Sequence, residues 1–273
     1  MEEEIMERIW NAPVLGEGMY PVNFTGKYPI SDENYGWERT TVSEWDYNYE
    51  KRKRKWANAK TEDGSLYVWI PRYTYKHNNG SYSIKFSNGI IDDTSDEFNP
   101  HPAFTFGGKE LTGFWVTKFA AAKEDESEDY EYIYPVSKPF KQVLLYGKDT
   151  LYEFMRAYKL NRTLDSHMMT YAEHNAVKIL SICIGWGIYG IEICATGVCE
   201  IDDWHRRWKY EYGSESYYPN NTMNIYGIFD YDVIFFESDF ENILKRTVER
   251  KYRGVPRLSC EPYHITLAIP PKS

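Results

Sequence analysis

The chain has 273 residues, 42% of them hydrophobic and 17% aromatic, and carries a formal net charge of −9. This composition excludes a disordered chain, and the acidic balance excludes a general nucleic-acid binder, which needs a basic face to neutralise phosphates. No apolar run is long enough to span a bilayer, and four cysteines in a chain of this length do not make a disulfide framework.

Met1 to Trp10, MEEEIMERIW, reads as a short helix or as a tail that docks on a neighbour. Its acidic character argues against a signal peptide, so synthesis in a cytoplasm is expected. Residues 23–50 are polar, aromatic and turn-rich, with Trp37, Trp45, Tyr47 and Tyr49, and read as an irregular loop layer. Lys51 to Lys55, KRKRK, reads as a solvated turn before Trp56.

The centre of the chain is Trp56 to Lys76, WANAKTEDGSLYVWIPRYTYK. Asp63-Gly64-Ser65 signals a turn, because glycine takes positive φ at low steric cost. Tyr67, Val68, Trp69 and Ile70 are strand formers. Pro71 lacks a ladder donor, which predicts an edge strand or a bulge. His77-Asn78-Asn79-Gly80 is a hairpin signal, with Tyr82 to Phe86 as the returning strand.

Ser87 to Pro102 reads as a connector. His101 to Phe119 holds a Gly-Gly turn feeding a strand over 112–119, and His101 before a proline reads as structural. Lys123 to Glu131 is an acidic loop. Asp149-Thr150 can cap a helix to Leu160. Thr170 and Glu173 have capping-box spacing, which predicts a helix to Ser181 or Cys183. A second such box, Ser238 and Glu241, predicts a helix with Phe240, Ile243, Leu244 and Thr247 that Gly254 and Pro256 stop, within a basic segment. That segment, 241–257, carries six basic residues against two acidic ones. Tyr263 to Ile269 alternates like a terminal strand. The 25 tyrosines and nine tryptophans read mostly as strand residues of a β-rich core, with a minority left for contact surfaces.

Several of these segments together carry a resemblance. Ala12-Pro13-Val14-Leu15 with Gly18-Met19-Tyr20-Pro21-Val22, Trp56-Ala57-Asn58-Ala59, Asp63-Gly64-Ser65, Val68 to Tyr73, the HPAFTFGGKELTGFWVTKF segment, Ser166-His167-Met168-Met169 and Asn224 to Asp230 are its motifs. In these the chain resembles phage-encoded and prophage-associated bacterial proteins with a C-type-lectin-like fold, related to formylglycine-generating enzymes. Ala120 stands where the family commonly has Glu, His174 where it has Trp, and Phe236 where a Trp follows the Asp turn.

The resemblance implies an α+β fold of the C-type-lectin-like, formylglycine-generating-enzyme-like kind, with short twisted antiparallel sheets, two to three helices and long loops. The expected organisation is an N-terminal attachment segment and loop layer over 1–50 and a lectin-like domain over 51–273. In lectin-like folds the last strand closes the domain near the first.

The enzymes of that family use a copper-binding cysteine pair after the Asn-x-x-Gly strand. Cys194 and Cys199 have the same gap but precede Asn224, and only Cys260 follows Asp230. One thiolate does not make a two-sulfur Cu(I) site, so no catalytic residue and no cofactor is implied. Cys194, Cys199 and His205, with Cys183 or Asp203, are a looser candidate zinc set, and buried small hydrophobes are the other reading. No phosphate-binding loop, G-x-S-x-G or H-E-x-x-H is present.

Trp204 to Asn221 has the Tyr/Trp/Ser/Asn/Gly character of an adaptable paratope. Trp204, Trp208, Tyr210, Tyr212, Tyr217, Tyr218 and Asn220 are the candidate ligand-binding residues. The alternative is an ordered loop layer whose aromatics pack on the sheet. The expected function is a non-catalytic virion component, a tail, fibre or capsid-decorating protein that recognises a host-cell receptor, glycan or protein. A purely structural virion protein is the first alternative, and an oxidase or zinc-binding protein the second. Other virion proteins and further copies of the chain are the expected partners.

Overall fold

The turn at Asp63-Gly64 forms as the residues dictate. Gly64 has φ +81°, and Asp63 Oδ1 accepts from the Ser65 amide at 2.9 Å and from the Thr61 hydroxyl. The computed structural model describes residues 11–25, 36–49, 55–119, 122–123, 135–138, 166–184, 228 and 265–267. Its strands are β1 (Tyr20–Phe24), β2 (Trp37–Arg39), β3 (Asn58–Lys60), β4 (Leu66–Pro71), β5 (Tyr73–Asn78), β6 (Ser81–Phe86), β7 (Asn99–Pro100), β8 (Thr105–Phe106), β9 (Lys109–Glu110), β10 (Gly113–Thr117), β11 (Ala122–Lys123), β12 (Pro135–Val136), β13 (Ser166–Met168) and β14 (Ile265–Leu267). Tyr171–Ile184 is an α-helix.

Among the described residues the main sheet runs β13-β14-β10-β4-β3-β1-β2, and every pairing in it is antiparallel. A second sheet runs β6-β5-β7, and β8-β9 and β11-β12 are small ribbons. The fold is therefore β-rich α+β. Two expectations change here. The terminal strand β14 lies between β13 and β10, with β10, β4 and β3 separating it from β1. Residues 20–24 and 37–39 are strands of the main sheet, where 23–50 reads as irregular from sequence.

Pro71 is also a correction. Its strand is central, flanked by β10 and β3. The proline is tolerated because the β3 register ends at Asn58↔Val68, with one further bond from the Trp69 amide to Ala57 O. Alternate residues of a strand donate to the same side. The donor that Pro71 lacks would therefore point where β3 has already ended.

All six residues of β4 are buried. Trp69 lies opposite Trp115 in β10, with ring centroids 5.1 Å apart. Trp56, Tyr73, Phe104 and Phe114 complete a fully buried aromatic core. The reading of the aromatics as core residues holds for these rings. Each buried indole donor of Trp45, Trp69 and Trp115 reaches a backbone carbonyl, of Asn58, Asn11 and Val14 respectively. The last two bonds lay the segment 11–14 across the tryptophan pair. Val22, Trp37, Leu66 and Phe119 form a smaller cluster beside β1 and β2.

The helix begins at the predicted capping box. Glu173 Oε2 accepts from the Thr170 amide at 2.7 Å, and the Glu173 amide donates back to Thr170 Oγ1 at 3.3 Å. Ala176, Val177, Ile179 and Leu180 form its buried stripe, at helical spacing. It packs on β6 and on the 3-10 turn Pro102–Phe104, and Tyr73 Oη donates to Ala176 O. Among the described residues no helix is long and apolar enough to cross a membrane.

Candidate recognition surface

The hairpin β5–β6 grows from the core sheet and ends at the predicted turn. Asn79 has φ +50° and Gly80 φ +78°, the pair of positive angles that a type I′ turn requires. Behind the turn His77 stacks on Tyr82, with centroids 4.3 Å apart and planes inclined by 19°. Lys85 on β6 lies 4.4 Å from the Phe98 ring centroid and pairs with Asp93 and Asp96, while Lys76 on β5 pairs with Glu97. Asp93 is pulled down to about 2, first by its hydrogen bonds with Ser95 and then by Lys85.

Next to this arm Ile90 and Ile91 are 50% and 73% exposed. The reading of 87–102 as a plain connector missed them, and missed β7, which pairs with β5. Two adjacent isoleucines between polar residues were the available sequence signal. The arm and the segment beside its base therefore present a stacked ring pair, a salt-linked loop and two exposed isoleucines, which is contact chemistry.

The chemistry-bearing groups inside the core hold the fold together. Arg72 is clamped by Asp92, Glu110 and the carbonyls of Phe104 and Leu111. His101 is buried, accepts from the Ala103 amide through Nδ1 at 3.2 Å, and has Nε2 3.4 Å from Asn175 Nδ2. Burial pulls it down to about 4, so it is a neutral structural imidazole at neutral pH. This agrees with the structural reading of His101.

The residues singled out in sequence for ligand binding, Trp204, Trp208, Tyr210, Tyr212, Tyr217, Tyr218 and Asn220, lie outside the described residues. So do Cys194, Cys199, Asp203 and His205, the Asp149–Leu160 segment and the basic segment 241–257. Cys183 is described, half-buried and packed against the core. Among the described residues no cluster of three or more His, Cys, Asp or Glu side chains is arranged to hold a metal ion. The two points that bracket the aromatic-rich segment are described. The helix packs Leu180 and Cys183 against the main core, and Ile228 is fully buried in the same cluster. Leu180 and Ile228, which stand before and after the segment 185–227 in sequence, thus belong to one core.

No protein-family model matches the chain, and no curated protein matches it.

Proposed function

We propose that the chain is a non-catalytic component of a phage or prophage particle, with a C-type-lectin-like fold that displays a recognition surface. One observation carries this reading: Leu180 and Ile228, which bracket in sequence the segment that holds Trp204, Trp208, Tyr210, Tyr212, Tyr217 and Tyr218, belong to one close-packed aromatic core. A rigid scaffold with a long Tyr/Trp/Asn-rich connection suits ligand recognition, because the scaffold bears the ordering cost and the rings supply contact area. The β-rich α+β architecture and the motif resemblance support the finer fold assignment. Host-cell receptors or glycans, other virion proteins and further copies of the chain are the partners of this reading, and the virion is its location.

The test is binding of the purified protein to intact bacterial cells, with a denatured control. Saturable binding that falls at least tenfold in a folded Trp208→Ala/Tyr217→Ala variant is expected. Undiminished binding by that variant would remove the proposed patch. The exposed pair Ile90 and Ile91 favours a second reading, in which the chain docks structurally onto other particle proteins. Absence of cell binding, together with burial of this pair in assembled particles, would select it.

A further inference from the structure

Two asparagines of the chain are followed by glycine, Asn79-Gly80 and Asn88-Gly89. The pair has a chemistry of its own. The backbone nitrogen after an asparagine can attack the asparagine Cγ, and glycine, with no Cβ, leaves that approach open. The fold treats the two pairs differently.

Asn88-Gly89 is held in place. The Gly89 amide donates to Asn11 Oδ1 at 2.6 Å. Asn88 and Ile91 exchange backbone hydrogen bonds in both directions, at 3.1 and 3.0 Å. Asn11 is itself buried and anchored, because its carbonyl accepts from the Trp69 indole at 3.0 Å. To attack Asn88 Cγ, the Gly89 nitrogen must first give up its bond to Asn11.

Asn79-Gly80 is open. It forms the exposed two-residue turn between β5 and β6. Among the described residues, and apart from its chain neighbours, no heavy atom lies within 4 Å of where a Cβ on Gly80 would stand. Among the same residues no hydrogen bond holds the Gly80 amide or the Asn79 carboxamide.

We propose that Asn79 is a site of spontaneous modification in the folded protein and that Asn88 is protected from it. Gly80 N attacks Asn79 Cγ and forms the new C–N bond. The Cγ–Nδ2 bond breaks, the Gly80 amide proton passes to the departing nitrogen, and ammonia leaves. Water, the one co-reactant, then opens either carbonyl of the succinimide and gives aspartate or isoaspartate at position 79. Nothing is oxidised or reduced. The product places a carboxylate at the tip of the β5–β6 arm, two positions from His77. The isoaspartate form also adds one backbone atom to a turn whose length fixes the Asn78↔Ser81 register. This inference is independent of what the arm binds.

The experiment is peptide mass mapping of the purified full chain during incubation at mildly alkaline pH, folded and in urea. Trypsin cuts after Lys76 and Lys85 and so puts the two pairs on separate peptides. In the folded chain the Asn79 peptide should gain the one mass unit of an amide-to-acid change, in aspartate and isoaspartate forms. A transient ammonia-loss form, cleaved by hydroxylamine, should precede them. The Asn88 peptide should change at least about fivefold more slowly, as expected when one more hydrogen bond must break. In urea both pairs are released and should change at similar rates. Equal rates in the folded chain, or faster change at Asn88, overturn the proposal. So does an Asn79 that changes only in urea. A difference of the same size in urea overturns it as well, because local sequence and not the fold then sets the selection.

Discussion

Arg72 and Asp92 meet side by side, Nε 2.8 Å from Oδ1 and Nη2 2.6 Å from Oδ2. The fork-to-fork pair is buried, and Nη1 serves Glu110 at 2.7 Å as well as the carbonyls of Phe104 and Leu111. It fastens the start of β5 to the loop after β6 and to the turn before β10. The hydrogen bonds that Arg72 donates to Asp92 hold its guanidinium above the usual value. Burial pushes Asp92 up, but hydrogen bonds from Arg72 and Ser87 and the Arg72 charge outweigh it, so its carboxyl titrates below the ordinary range.

Arg72→Met leaves a buried carboxylate unpaired and should cost about 3–5 kcal/mol in urea unfolding. Glu110 is largely exposed, so Glu110→Gln should cost below about 1 kcal/mol. Equal losses for the two variants would show that Asp92 is not the principal partner.

Gly113 opposes Pro71 in the β10–β4 register. A Cβ there would collide with the Ile70 carbonyl and the Trp69 ring. The neighbour is backbone and a packed indole, so neither yields cheaply. Gly113→Ala should cost about 3 kcal/mol or more, at the upper end for overpacking. Gly80→Ala meets open space and suffers only the positive φ, a cost of about 1–2 kcal/mol. Thermal melts of both variants should rank them in that order. A Gly113→Ala protein as stable as the parent would mean that β10 packs differently against Trp69.

The elements legible in sequence were those with local causes. Gly64, the Asn79-Gly80 turn and the Thr170/Glu173 box each depend on neighbours within a few residues, and each forms as expected. Pro71 misled because its propensity points to an edge, whereas its cost depends on where β3 ends. Trp37–Arg39 is too short to show a period, and pairing with β1 makes it a strand. Lys118 is a charged residue type that composition places outside. Its contacts with Asn58 and the Trp37 ring, both far away in the chain, accompany its burial. For the proposed contact surfaces, composition pointed to Trp204–Asn221 and left aside Ile90 and Ile91, whose exposure is set by the fold and not by composition.

Tyr49 stacks on Trp56 with centroids 5.3 Å apart and is buried, but among the described residues its hydroxyl has no hydrogen-bond partner. A desolvated hydroxyl without a partner opposes folding, while the ring contributes favourable packing. Tyr49→Phe keeps the ring and removes the penalty. It should stabilise the protein by about 1 kcal/mol, seen as a higher urea midpoint at unchanged slope. A loss of stability would mean that the hydroxyl is satisfied in solution.

His101 sets the response to mild acid. It lies among Tyr73, Tyr75 and Phe104, and burial lowers it to about 4 from an ordinary value near 6.5. With the folded value below the unfolded one, the unfolded chain binds the proton first. The contribution is therefore complete above about pH 6.5 and is lost as pH falls toward 4. A shift of this size corresponds to about 3 kcal/mol over that window. Asp92 and Asp93, whose values are lowered, act in the same direction but at lower pH, as the medium falls below the ordinary carboxylate range. His101→Asn separates the two effects, because the asparagine oxygen can still accept from the Ala103 amide. Urea midpoints of parent and variant, taken at pH 7.5, 5.5 and 4.5, should diverge at pH 7.5 and converge at pH 4.5. If both proteins lose stability in parallel between pH 6.5 and 4.5, another group carries the transition and the buried imidazole is protonated without penalty.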